Sequence, residues 1–431
     1  MVLDSLIAGM KALCATLPDR RLGGNTVYEM ADIGMAAFAT FFMQSPSFLA
    51  QQTALSRGRG TSNCQSLFTM DKIPSDNHIR SMLDPVPPEI LLPMFGETLK
   101  ALESGGGLEK FRRLGGHVLI ALDGTEYFCS RKLSCANCSS RARANGRTEH
   151  FHAMVSAAMV APGHDRALPL EPEFISPQDG AAKQDCEARA AHRWLSLHGP
   201  KYARLKPIYM GDDLSSRQPT CEAVKAIGAH FLFTAKPSSH KALYSWLDGA
   251  EVPTIEQKIK QGVRFVTHRY RWLESVPIRD GKDAMLVNWL EIEIVDASGK
   301  ITYRNSFVTD LPVSRDNVAE LAACGRARWK IENESFNTLK TKGYTLEHNF
   351  GHGEANLAAV LATMNLLAFA MHPVADLADA AWKAARAAVG TRKRFFEDLP
   401  AITTYLVFPG WAALVETLRS GQPPPAAVRD G

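Results

Sequence analysis

His117-Val-Leu-Ile-Ala-Leu-Asp-Gly-Thr125 is the stretch on which the fold turns. Residues 118–122 are a continuous apolar run of strand length, and the run ends on an acid, a glycine and a threonine. Outward from it the texture stays that of alternating strands and helices. EYFCSRKL (126–133) alternates like a strand, and HFHAMVSAAMVAP (150–162) is a third. KQDCEARAAHRWLSLHG (183–199) has helical spacing. KPIYMGDD (206–213) is a second short apolar strand that ends in acids. RQPTCEAVKAIGA (217–229) predicts a helix and HFLFTAKP (230–237) a further strand.

Three strands, a helix, a strand, a helix and a strand is the order of an RNase H-like α/β core with a mixed sheet. That core is expected over residues 113–238. Residues 239–312 turn to β texture, with VRFVTHRYRWLE (263–274), AMLVNWLEIEIVD (284–296) and ITYRNSFVTDL (301–311) as alternating strands. NVAELAACGRARWKIENESFNTLK (317–340) is a long helical pattern carrying Glu332 and Glu334. A β-rich insertion therefore separates the sheet from the second part of the core, residues 313–375, which supplies that helix.

Residues 1–112 are expected to form a helical N-terminal domain. Within it a helix begins at Ser75 or Asp76, stops near Asp84-Pro85 and restarts beyond the prolines. Two short helices joined by a tight turn could read DNA, although a packing role is the commoner use of that pattern. Residues 376–431 are expected to be a helical C-terminal segment with a disordered tail, SGQPPPAAVRDG.

Hydrophobic residues are 45% of the 431-residue chain, charged residues 22%, and the net charge is +4. That composition predicts a globular core and excludes neither nucleic acid nor any other partner. The first residues are too broken by charge for a signal peptide. The longest apolar stretch, 355–371, carries Asn356 and Asn365 and is short for a membrane span, so a buried helix and a cytoplasmic protein with no membrane partner are expected. The eight cysteines should then be reduced.

Two-metal phosphodiester chemistry needs carboxylates converging on one point, because hard cations such as Mg²⁺ take oxygen ligands. Acids at the carboxyl ends of neighbouring strands converge in open α/β sheets. Asp123 and the pair Asp212-Asp213 end such strands, and Glu332 or Glu334 could complete the set from the helix. Each also has an ordinary explanation. Asp123 could start a turn, Asp212-Asp213 could cap the next helix, and Glu332 could pair with Arg328 at i, i+4.

LDGTEYF, MGDDLSSRQ, RWKIENESFNTLK and LEHNFGHG together resemble the insertion-sequence transposases of the DDE superfamily, in the branch with a β-rich insertion before the last acid. The resemblance covers roughly residues 115–375. It implies Asp123, Asp212 and Glu332 as ligands of Mg²⁺ or Mn²⁺, with Asp213 and Glu334 as alternates. In that branch an Arg precedes the Glu by four residues within a Tyr-Arg-Glu-Lys signature. This implies DNA-phosphate contacts for Arg328 and Lys340, while Gly325 stands where the Tyr would be. It further implies double-stranded DNA as substrate, a homodimer on paired element ends, and cleavage followed by strand transfer. Relatives with a β-rich insertion often cut through a hairpin intermediate and stack an insertion aromatic on a flipped base. The cation-aromatic mixture HRYRW offers Arg271 and Trp272 as DNA contacts, against a role for Trp272 and Trp289 in a small β core. Competing readings are an RNase H-like nuclease that cuts without joining and a non-catalytic, domesticated DNA-binding relative.

A separate pattern lies between the strands. Cys135-Ala-Asn-Cys138, followed by His150 and His152 and more distantly by Cys186, could hold a structural Zn²⁺, with the fourth ligand open. Reduced bystander cysteines are the alternative. The same loop carries Arg131, Lys132, Arg141, Arg143 and Arg147 before the first acid, Glu149, a cationic run that could attract a DNA backbone.

Overall fold

A computed structural model describes residues 1–22, 26–56, 61–144, 146–177 and 185–423. The last eight residues of the expected tail, 424–431, lie outside the described residues. The architecture is mixed α/β, organised on one large mixed sheet.

Eleven strands make the sheet: β1 (Arg112–Arg113), β2 (His117–Ser130), β3 (Ser139–Ala142), β4 (Thr148–Val160), β5 (Leu168–Ile175), β6 (Pro207–Gly211), β7 (His230–Thr234), β8 (Thr254–Gln261), β9 (Arg264–Pro277), β10 (Leu286–Val295) and β11 (Ile301–Thr309). The order runs β3-β4-β2-β6-β7-β11-β10-β9-β8, with β5 also paired to β4. β2 is antiparallel to β4 and parallel to β6, and β6 is parallel to β7. Val118, Ile120 and Leu122 face one apolar cluster, whereas Leu119 and Ala121 face another. Burial on both faces is why this strand is apolar without alternation.

Several local expectations change. Residues 117–133 are not two strands: β2 runs unbroken from His117 to Ser130, with a bulge against β4 at Glu126/Phe128. Asp123 is therefore a mid-strand residue, lying just beyond the last β2–β6 pair, Ala121 with Met210. The place of the extra strand is taken by β5, whose Pro169 and Pro172 cannot donate to a ladder and so fit a strand paired on one side only. The insertion strands β8–β11 join the core sheet, because Phe307–Thr309 of β11 pair antiparallel with β7. A helix, Lys241–Asp248, and the exposed strand β8 precede them within residues 239–262, where neither is obvious from apolar alternation.

Fifteen α-helices are present among the described residues. Those that carry the argument are α1 (Met30–Phe42), α2 (Asp76–Leu83), α3 (Pro93–Ser104), α4 (Glu187–Leu197), α5 (Gln218–Ala226), α6 (Val318–Arg326), α7 (Asn337–Thr341) and α8 (Leu357–Ala378). Ser75 caps α2 by accepting from His78 N at 3.4 Å, and α2 ends at Leu83 as its sequence predicts. Both α2 and α3 bury their apolar faces in a cluster that also contains α1, α8 and the C-terminal aromatics Trp382, Phe395 and Trp411. This is the packing use of the helix pair.

α8 is the one helix among the described residues long and apolar enough to cross a membrane, and 89% of its most apolar window is buried inside the protein. A helix apolar on all sides is a core helix when other elements surround it, and here α1, α3 and β5 do. All eight cysteines are free thiols.

Candidate functional site

Asp123 on β2 and Glu332 in the helical segment after α6 share Arg328, and Asp212, in the turn after β6, is near enough for its charge to act on Asp123. Asp123 alternates with Leu119 and Ala121, so it projects on the face that packs α6 and the segment following it. That segment is unusual: residues Ala327–Trp329 form a 3₁₀ turn and Ile331–Phe336 a π-helical turn. Arg328 links the acids, with Nη1 3.3 Å from Asp123 Oδ2 and Nη2 2.8 Å from Glu332 Oε1. Burial pushes the Asp123 carboxyl up to about 6 against the pull of Arg328, and Glu187, Glu332 and Asp212 add to the rise.

Glu187 is an acid that sequence reasoning missed. It opens α4, and its Oε1 accepts from Gly124 N at 3.1 Å. Burial and then the charge of Asp212 raise its pKa. A Cβ on Gly124 would stand 2.3 Å from Glu187 Oε2, so the glycine of the DGT stretch is what admits this fourth carboxylate. The signal available was the acid in the first helical turn, which reads equally well as a dipole partner.

The alternates separate by their employment. Asp213 Oδ1 accepts from Lys236 N and Ser239 Oγ, each at 2.6 Å, and so ties the β6 turn to the chain after β7. Asp212 Oδ1, among the described residues, accepts within its own turn, from Leu214 N at 2.9 Å, Ser215 N at 3.2 Å and Ser215 Oγ at 3.4 Å. Gly211 permits that turn, since a Cβ there would lie 2.3 Å from Ser215 Oγ. Glu332 is 52% exposed at its side chain and is the helix acid that Arg328 joins to Asp123, while Glu334 is half-buried.

Lys340 lines an open cleft of about 580 Å³ together with Gly124, Cys186, Glu187 and Glu347, and pairs with Glu347 at 2.7 Å. A regular α-helix would place residue 339 nearly over Glu332. Leu339 is instead fully buried. The π turn holds one extra residue, which carries Lys340 round to the cleft side. Gly325 also finds its reason: a Cβ would lie 2.7–2.8 Å from three ring atoms of buried Phe307, so no tyrosine fits there. Trp329, next to Arg328 in sequence and 45% exposed, with Lys330 over its ring, is a further residue to which the sequence reading gave no role.

Other expected DNA contacts are otherwise engaged. Arg271 reaches buried Glu291 at 3.1 Å across β9 and β10 and lies over the Trp289 ring. Trp272 is half-buried against the second apolar cluster, and Trp289 is 1% exposed. Of the cationic run, Arg131, Arg141 and Arg143 converge on Glu149, and Arg141 also grips Glu126.

The cysteine pair falls in a different place. Cys135, Cys138, His152 and His352 bring one ligand atom each to within 4.8 Å of one another, a group able to hold a metal ion. His150 is not a member, and Cys186 lies in the acidic cleft. Burial pushes His152 down to about 4, helped by neighbouring His352, and burial likewise lowers His352. His352 was missed because it stands two hundred positions from its neighbour His152, in the GHG of a stretch noticed for its resemblance alone.

No protein-family model matches the chain, and no curated protein matches it.

Proposed function

We propose that this chain is a metal-dependent DNA transposase of the DDE type with an RNase H-like core. The observation that carries the reading is the bridging of Asp123 and Glu332, from segments far apart in sequence, by the guanidinium of Arg328, with Asp212 near enough for its charge to act on Asp123. The strand order β5-β4-β2-β6-β7, with β5, β4 and β2 antiparallel in turn and β2, β6 and β7 parallel, supports the same core.

A set of three carboxylates with a fourth close by is an all-oxygen donor set, which suits Mg²⁺ or Mn²⁺ and not a soft metal. Asp123, Asp212 and Glu332 would hold the ions. A metal held there would supply Lewis-acid activation of a phosphodiester. The residues of the chain supply the rest. Asp123 is fixed on a doubly buried strand, which holds its carboxylate with little freedom. Arg328 orients Glu332 across one helical turn. Lys340 offers a cation at the cleft, and the exposed face of Trp329 can stack on an unpaired base. The reaction is hydrolysis at the element end, followed by attack of the freed 3′ hydroxyl on a second duplex. A homodimer on paired ends and a cytoplasmic setting belong to the same proposal.

Cleavage of a labelled duplex bearing the end of the element that encodes the chain tests it, with Mg²⁺ or Mn²⁺. Asp123→Ala, Asp212→Ala and Glu332→Ala should each lower cleavage by roughly 100-fold or more, the scale of lost electrostatic stabilisation, with DNA binding kept. Asp213→Ala and Glu334→Ala should retain it. A folded wild-type protein that binds the end and never cuts it, or an Asp123→Ala variant that cuts normally, defeats the proposal.

A further inference from the structure

Cys135 and Cys138 occupy a tight turn between β2 and β3, closed by Cys138 N donating to Cys135 O at 3.1 Å. His152 projects from β4, and His352 comes from the chain between α7 and α8. The sulfurs are 3.8 Å apart, far beyond a disulfide bond of about 2.05 Å. Cys135 Sγ is 3.6 Å from His152 Nε2, and Cys138 Sγ is 3.4 Å from His152 Nε2 and 3.3 Å from His352 Nε2. The two Nε2 atoms are 3.2 Å apart.

These five distances match edges of a tetrahedron built on zinc bond lengths, and the sixth pair, Cys135 with His352, lies within 4.8 Å. With Zn–S about 2.3 Å and Zn–N about 2.0–2.1 Å, tetrahedral angles give S···S about 3.8 Å, S···N about 3.5 Å and N···N about 3.3–3.4 Å. Tyr127 stacks on His152, and the Phe128 ring centre is 4.5 Å from that of His352, so the cluster has an aromatic wall.

We infer that Cys135, Cys138, His152 and His352 form a structural Cys₂His₂ site for one zinc ion, which clamps the β2–β4 hairpin to the chain that follows the Glu332 helix. Binding releases the two thiol protons, leaving two thiolates and two neutral imidazoles, the donor set that tetrahedral zinc takes. The second tie across the same junction is Asn137 Nδ2 donating to Ala355 O at 2.8 Å. The clamp joins segments on opposite sides of the long insertion, so it fixes the hairpin that carries Asp123 relative to the segment that carries Glu332. It stands whether or not those acids are catalytic.

Elemental analysis of the untagged full chain, desalted without chelator, should find one zinc per chain. Replacement with Co²⁺ should give the visible ligand-field bands of a tetrahedral site and a thiolate charge-transfer band. His150→Ala should keep both signals. His352→Ala should lose at least most of the metal, and Cys135→Ser/Cys138→Ser should lose the charge-transfer band. His352→Cys guards against misfolding, since it should keep the metal and strengthen that band by adding a third thiolate. A strong chelator should lower the melting temperature of wild type and leave Cys135→Ser/Cys138→Ser unmoved. A folded wild-type chain without zinc, a different resident metal, or zinc that survives His352→Ala and vanishes in His150→Ala overturns the inference.

Discussion

Gly325→Ala isolates one packing constraint in the candidate site. Gly325 lies in α6, and its missing side chain is replaced in space by the Phe307 ring of β11, which is 1% exposed. A methyl group there would meet three ring atoms at 2.7–2.8 Å, well inside contact distance. Because Phe307 is held in the sheet, the helix or the strand must move, an overpacking cost of about 2–3 kcal/mol. Alanine regains about 1 kcal/mol over glycine in a helix interior. The net loss is about 1–2 kcal/mol. With an unfolding entropy of about 2.1 cal/mol/K per residue, a chain of 431 residues loses only about 1–2 °C of melting temperature. Calorimetry in replicate, or a urea midpoint, resolves that. Phe307→Leu should relieve the clash, so the double variant should be more stable than the two single losses predict, by at least about 0.5 kcal/mol of coupling. Gly325→Tyr should not accumulate as folded protein. If Gly325→Ala is as stable as wild type or more so, with no coupling to Phe307, the steric account of the missing tyrosine is wrong.

Three further outcomes can be measured. Asp213→Ala should destabilise by about 1–3 kcal/mol by orphaning Lys236 N and Ser239 Oγ, read as a lowered urea midpoint, while Asp212→Ala should cost less stability than that. Asp84→Ala should loosen the start of α8, because its carboxylate accepts from Glu354, Ala355 and Leu357 N at 3.0–3.1 Å, again at about 1–3 kcal/mol. Burial works to raise the Asp84 pKa, but those backbone hydrogen bonds outweigh it and hold the carboxyl below its ordinary value. Its contribution is therefore full above the unfolded-state pKa and drains away as pH falls through the folded one, so the Asp84→Ala penalty in a melting series should shrink towards low pH. Lys340→Ala should weaken binding to any duplex and flatten the plot of log affinity against log salt by about 0.9, the share of one phosphate contact.

What was legible in the sequence was the part fixed by local pattern. The apolar run before Asp123, the short strand before Asp212 and the helix through Glu332 each carry their own periodicity, and elements sit at all three. The partition of strands was harder to read. Asp123-Gly124-Thr125 look like the end of a strand, yet all three stay in register with β4, and the bulge comes only after Glu126. Pro169 and Pro172 disguise β5, and the charged residues of β8 hide a strand that lies at the open end of the sheet. The site divides the same way. Asp123 and Asp212 stand out at the ends of apolar strands and Glu332 in a motif that carries the resemblance, whereas Glu187 and His352 lie near the groups they touch only because the chain folds back on itself. His150 and His152 share one face of β4 by their alternation, and only the arrival of His352 selects between them.

The π turn over Ile331–Phe336 bears on how related chains should be aligned. A helix that has taken in one residue keeps the same side chains on the same side only if every spacing counted across it grows by one. Counting residues therefore misnumbers homologous positions downstream of the turn, and a gap belongs inside the helix, where alignments rarely place one. The bulge also acts as a reversible unit of drift. Removing Asn333 would let the segment settle into ordinary α geometry without turning Lys340 away from the cleft, so a chain one residue shorter between Glu332 and Lys340 would present the same surface.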